Sequence, residues 1–148
     1  MMRYKLHLLL HSADLIDEQL RIELAALGIK PRQARVLSSL NRLKTASQVE
    51  LAREFNVTPA SMSTMTSRLI AAGYISRKPD PEAPRSNQLK LTRKGDALVS
   101  DIRATWAKID TVIEDAIGLK KAQELAQLTE ELRDALGGWV PGTKPSAK

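Results

Sequence analysis

Within three residues, Asn56-Val57-Thr58, the chain stops one helix and starts another, and no other feature restricts its fold as much. Asn56 tolerates the left-handed conformation that ends a helix. Thr58 is a suitable N-cap, and Pro59 suits the first helical position, where its missing N–H is not needed. The upstream helix is expected to start at Thr45, where Thr45 and Gln48 make a capping-box pattern, with Val49, Ala52 and Phe55 following at three-residue steps. The downstream helix turns Met62, Met65, Leu69 and Ala72 inward and ends at Gly73. So short a turn prevents antiparallel packing, and its caps prevent the helices from merging. They must cross steeply, which is the helix-turn-helix geometry.

After Gly73 the period changes from helical to alternating. Tyr74-Ile75-Ser76-Arg77-Lys78 and Gln88-Leu89-Lys90-Leu91-Thr92 read as two strands. The segment between them, residues 79–87, holds three prolines and is expected to be irregular. The expectation is a two-stranded ribbon with a long, stiff tip. A helix-turn-helix followed by such a ribbon is a winged helix.

Helices flank this unit on both sides. Residues 5–27 repeat apolar side chains at Leu9, Ala13, Ile16, Leu20 and Leu24, and Gly28 is a suitable C-terminal stop. A short helix follows from Lys30-Pro31 to about Asn41, with Ala34, Leu37 and Leu40 inward. Thr92 caps a fifth helix to about Ala116, with Leu98, Ile102, Trp106, Ile109 and Ile113 on one face. Gly118 breaks it, and a sixth helix over about 120–136 carries Leu125, Leu128, Leu132 and Leu136. The fold class is mainly α, with a small β-wing. Residues 1–137 form one domain, with the DNA-binding lobe at about 30–95 and dimerisation helices at 5–27 and 96–137. Residues 138–148 form a flexible tail. The terminal helices carry more apolar surface than that lobe can cover, which calls for a second copy of the chain.

Charge locates the function. Residues 31–95 hold twelve basic and four acidic groups, against four and four in residues 1–30 and seven and nine in residues 96–148. All of the net +6 charge therefore belongs to the middle segment, and an anionic partner such as nucleic acid accounts for it. A solvated basic surface accounts for charge alone equally well. The chain has no Cys, which excludes disulfides, thiolate metal sites and thiol redox sensing, and fits a reducing cytoplasm. No apolar run is long enough to cross a membrane. There is no phosphate loop, nucleophile elbow or zinc-protease motif, so an enzyme is not expected, nor is a metal or other cofactor.

Candidate contacts follow from the faces. Ser61, Ser63, Thr64, Ser67 and Arg68 lie on or beside the outer face of the second helix of the pair. Small side chains and hydroxyls let a helix approach base edges closely. No acidic residue occurs from Val57 to Pro79 to repel phosphate. The wing adds Arg77, Lys78, Arg85 and Lys90, placed to grip a minor groove and flanking phosphates, with Arg85 near the tip. The alternative is a winged helix that binds DNA or RNA without sequence preference, or a protein partner.

The stretch 45–95 resembles the MarR family of bacterial transcription regulators. The residues that carry the likeness are Gln48, Glu50-Leu51-Ala52, Val57-Thr58, Met65, Leu69, Gly73-Tyr74-Ile75, Asp80-Pro81-Glu82, Arg85-Ser86, Leu91-Thr92 and Gly95. Ala83 and Pro84 depart from it, where the family often has an acid and a base. The resemblance implies a homodimer on a pseudo-palindromic double-stranded operator, held together by its terminal helices. It implies repression relieved by a small organic effector bound between the dimer helices and the DNA-binding lobe. His7, His11 and Trp106 are the candidates to line such a cavity.

Overall fold

The computed structural model describes residues 4–140 and 143. Helix α1 spans Lys5–Ala25, α2 Pro31–Leu43, α3 Gln48–Glu54 and α4 Pro59–Ala71. Strand β1 is Ala46–Ser47, β2 is Ile75–Asp80 and β3 is Ala83–Leu91. Helix α5 spans Arg93–Ile117 and α6 Leu119–Ala135. The strands form an antiparallel sheet in the order β1-β3-β2.

The helical stops and starts follow from the sequence. Asn56 has φ 51°, and Thr58 Oγ1 accepts the Ser61 amide at 3.1 Å. Thr92 Oγ1 accepts the Gly95 amide in the same way, and Gly118 turns the chain from α5 to α6 at φ 88°. One core lies between α2, α3, α4, the sheet and the first half of α5, with Leu37, Leu40, Leu51, Met62, Leu89 and Ile102 fully buried. Each such side chain contributes roughly 1.5–3 kcal/mol relative to exposure. Leu24 joins this core from α1, whereas α6 buries no residue at all.

Three expectations need correction. The ribbon is not two-stranded: Ala46 and Ser47 pair with Leu89 and Gln88, adding a third strand. That strand delays α3, whose cap is Ser47 rather than Thr45. Ser47 Oγ accepts the Glu50 amide at 3.1 Å, and Glu50 accepts the Ser47 amide at 2.7 Å. The wing tip is also more regular than its prolines imply, because both strands run into it and only Pro81 and Glu82 separate them. Pro79 is tolerated because β2 is an edge strand. Asp80 closes the turn by accepting the Glu82 amide at 2.9 Å.

Candidate nucleic-acid interface

Helix α4 is held from behind by a polar contact that the apolar pattern does not reveal. Thr66 is completely buried, and its Oγ1 donates to the Met62 carbonyl at 2.9 Å. Gln48 Oε1, at the start of α3, lies 3.4 Å from the same hydroxyl and 3.3 Å from Arg77 Nη2. One amide oxygen thus links the first helix of the pair, the second helix and the wing. Ala72, expected inward, is exposed at the end of α4, and Thr66 takes its place in the core.

The opposite face of α4 is open. Ser61, Thr64, Ser67 and Arg68 are exposed and Ser63 is half-buried. Ser61 Oγ accepts from Thr58 Oγ1 at 3.0 Å, and Thr64 Oγ1 donates to the Ala60 carbonyl at 3.2 Å. With that proton committed, Thr64 presents lone pairs outward. Arg68 forms no ion pair among the described residues.

The strand register divides the wing cations. Arg77 lies opposite Leu89, on the face that carries Ile75 and Leu91, and its guanidinium reaches Gln48. Lys78 and Lys90 are one residue out of phase with it and lie on the other face, both exposed. Arg85 is exposed and sits in an irregularity of β3. Asn87 pairs with Pro79 and Ala83 with Asp80, so residues 84–86 have no partners on β2. Such a bulge re-aims a side chain out of the alternating pattern. Arg77 is therefore tied to Gln48 of α3, whereas Lys78 and Lys90 lie on the other face of the wing and Arg85 in its bulge.

The effector candidates separate. Trp106 is half-buried and lines a cavity of about 240 Å³ with Arg35, Ser38, Ser39, Arg42, Arg133, Trp139 and Val140. His7 and His11 are exposed on α1 and line neither this cavity nor the larger groove beside them. His7 instead meets Tyr4 edge-on at 5.6 Å. The arginines escape sequence reading because Arg35 and Arg42 look like a solvated helix face. Arg133 and Trp139 lie about a hundred residues away in the chain.

A closely joined helix pair, a capped outer helix and a basic three-stranded wing specify a winged helix, and residues 29–86 match the family model described as MarR family. Over those residues the chain is similar to the MarR family. The HTH-type transcriptional regulator BilQ of Clostridioides difficile is 28% identical to it over 95 residues, 64% of each chain. The chain thus spans less than two thirds of that relative's length. The HTH-type transcriptional repressor Rv2887 of Mycobacterium tuberculosis is 26% identical over 126 residues, 85% of this chain and 91% of Rv2887.

Solved structures agree on the fold. The reduced form of MarR from Escherichia coli superposes with a TM-score of 0.81 at 22% identity, covering 89% of this chain and 98% of that one. A mutant of that MarR complexed with operator DNA gives 0.75 at 23% identity, covering 85% and 91%. Rv2887 complexed with salicylic acid gives 0.71 at 25% identity, covering 88% and 97%. The MarR fold thus extends well beyond the segment that matches the family model.

Proposed function

We propose that the protein is a homodimeric, sequence-specific transcription regulator, most simply a ligand-responsive repressor, that binds a pseudo-palindromic operator. The observation that carries this reading is the outer face of α4. It is exposed, free of acids, built of small hydroxyl residues and Arg68, and fixed from behind through Thr66 and Gln48. Such a face enters a major groove. Ser61, Ser63, Thr64, Ser67 and Arg68 make the groove and phosphate contacts. Thr64, presenting lone pairs, suits an adenine or cytosine amino group. Arg77 completes the α4 side, and Lys78, Lys90 and Arg85 grip backbone and minor groove farther out. The operator-bound relative supports this mode.

Dimerisation is supported by apolar surface that one protomer leaves uncovered. Leu9, Leu10, Leu125 and Leu132 of α1 and α6 are 42–55% exposed around a groove of about 780 Å³. A patch of this kind marks an interface. Two-fold symmetry then sets two copies of α4 about one DNA turn apart, roughly 34 Å. Residues 1–137 act as one domain with lobe and dimerisation helices. The Gly137–Gly138 turn leads into a tail of which only residues to Val140, and Thr143, are described. The protein acts in the cytoplasm, by binding rather than by an enzymatic step, and without a metal or other cofactor. A small organic effector would act by changing the spacing of the two α4 helices, as a rigid two-site fit is lost on small displacements. The Rv2887 complex with salicylic acid supports such a response.

Fluorescence anisotropy tests the proposal, with the duplex upstream of the protein's own gene as probe and scrambled duplex as competitor at fixed salt. Preferential binding with two protomers per site is expected. Equal, steeply salt-dependent binding to both duplexes would leave only a basic nucleic-acid-binding module. In the same assay Arg85→Ala is expected to cost about 1–3 kcal/mol of operator binding with the dimer intact. An unchanged affinity removes the wing tip from the mechanism.

A further inference from the structure

The contact groups on the outer face of α4 restrict which base pairs that helix can read. Side chains that read a base edge through two parallel hydrogen bonds are Arg or Lys on guanine and Asn or Gln on adenine. From Pro59 to Ala71 the helix has no Lys, Asn or Gln, and Arg68 is its one arginine. Helical periodicity sets Ala60, Thr64, Ser67 and Ala71 on the line directly opposite the buried Met62, Thr66 and Leu69, and all four are exposed. Arg68 lies about 60° round the helix from that line. It also belongs to the last turn, about 13 Å along the axis from Pro59, whereas a recognition helix turns its N-terminal end to the bases. Arg68 forms no ion pair among the described residues, so its charge is available to a phosphate on the flank of the groove.

Ala60, Ser61 and Thr64 remain at the base-reading end. The Thr64 hydroxyl donates to the Ala60 carbonyl at 3.2 Å, which leaves Oγ1 as an acceptor beside the γ-methyl group. Ser61 Oγ accepts from Thr58 Oγ1 at 3.0 Å and keeps its own proton to donate. An acceptor selects the amino group of adenine or cytosine, and an apolar group selects the C5 methyl of thymine. Only an A·T pair offers both an amino donor and a methyl group in the major groove.

We propose that Thr64 is the specificity-determining residue of α4 and that, with Ala60, it selects A·T pairs through their thymine methyl groups. The operator half-sites are then A·T-rich where α4 enters the major groove, and guanine is not read there. The wing selects in the same direction. Arg85 is exposed in the bulge of β3 and forms no ion pair among the described residues. A·T tracts have the narrow, strongly negative minor groove that attracts an arginine. This inference rests on the DNA-binding reading above and gives that reading a class of sequence.

The test uses the full chain and a randomised duplex library, from which bound molecules are selected and sequenced. Enriched half-sites are expected to be A·T-rich. The best duplex is then remade twice, once with uracil for every thymine and once with 7-deazaguanine for every guanine. Uracil lacks only the C5 methyl, and 7-deazaguanine lacks the acceptor that an arginine reads. One buried methyl is worth about fourfold in affinity, so uracil should weaken binding at least about tenfold. The 7-deazaguanine duplex should lose less than about twofold. Thr64→Ser keeps the hydroxyl, drops the methyl and sits at an exposed position, so the fold is retained. It should shrink the uracil penalty at least about fourfold. Thr64→Val keeps a methyl and should retain the penalty. The inference is overturned by G·C-rich half-sites, by tolerance of uracil, or by a 7-deazaguanine loss as large as the uracil loss. It is also overturned if Thr64→Ser shows the parent's uracil penalty, which would then belong to duplex shape. A library that yields no enriched sequence overturns the proposed function itself, and this inference falls with it.

Discussion

Exchanging Leu125 and Leu132 together for glutamate is expected to give a folded monomer with at least a hundredfold loss in operator affinity. In the single protomer both side chains are more than two-fifths exposed, so nothing there loses substantial burial. Surface exchanges of this kind stay within about 0.5 kcal/mol of the parent stability. In the proposed dimer the same positions face the partner copy, and the two changes introduce a carboxylate pair from each protomer. Burying such charges without partners costs several kcal/mol per ion, which exceeds what an apolar interface of moderate size leaves in surplus. The loss in DNA binding follows from avidity. Once the first α4 is seated, the second binds intramolecularly, a gain of about 10²–10⁴ that a monomer forfeits. Sedimentation velocity reads the first effect and anisotropy the second. A variant that stays dimeric would move the interface away from the α1–α6 groove.

What the sequence declared was mostly punctuation. Asn56, Thr58-Pro59, Thr92 and Gly118 mark the helix ends because each is a local device whose hydrogen bond or φ angle needs no distant partner. The apolar periods of α4 and α5 placed Met62, Leu69, Ile102 and Ile109 correctly in the interior. The features that stayed hidden depend on distant chain. Ala46-Ser47 is too short to show alternation, and is a strand only because Leu89 and Gln88 present their backbone to it. Thr66 looks like one more hydroxyl of an exposed helix. It is buried because its Oγ1 is satisfied by its own helix and lies within reach of Gln48, eighteen residues away. Arg77, Lys78 and Lys90 look alike in the sequence, yet the pairing register separates Arg77 from the two lysines. The cavity was the least legible feature. Of its arginine and tryptophan lining, only Trp106 lay on a face that an apolar pattern could flag.

Gly95→Ala presents two physical effects of opposite sign, and the contact is expected to win by about 3 kcal/mol. Helix propensity favours the exchange, because Gly in a helix costs about 1 kcal/mol relative to Ala. Gly95 lies in the first turn of α5, and a Cβ there would overlap the Tyr74 carbonyl oxygen, with Leu91 Cδ2 at 3.2 Å. Neither neighbour is free to give way. The Tyr74 carbonyl accepts the Thr92 amide at 3.0 Å, and Thr92 Oγ1 donates to the Gly73 carbonyl at 2.6 Å. Lys94 Nζ donates to the Ala72 carbonyl at 2.8 Å and lies 4.7 Å from the centroid of the Tyr74 ring. Leu91 is buried in the core. The end of α4, the start of β2 and the start of α5 thus meet at one point that accepts only hydrogen. Overpacking usually costs 1–3 kcal/mol, and more where backbone must move, so a net loss near the top of that range lowers Tm by roughly 6–12 °C. Gly28 is the control: at φ 75° with no atom within 4 Å of a Cβ, Gly28→Ala should cost only the left-handed penalty of about 1–2 kcal/mol. Thermal unfolding of the two variants separates the mechanisms. If Gly95→Ala is as stable as the parent, α5 can slide on the α4–β2 turn. The dimerisation helices would then be less firmly tied to the DNA-binding lobe than the contacts at Thr92 and Lys94 require.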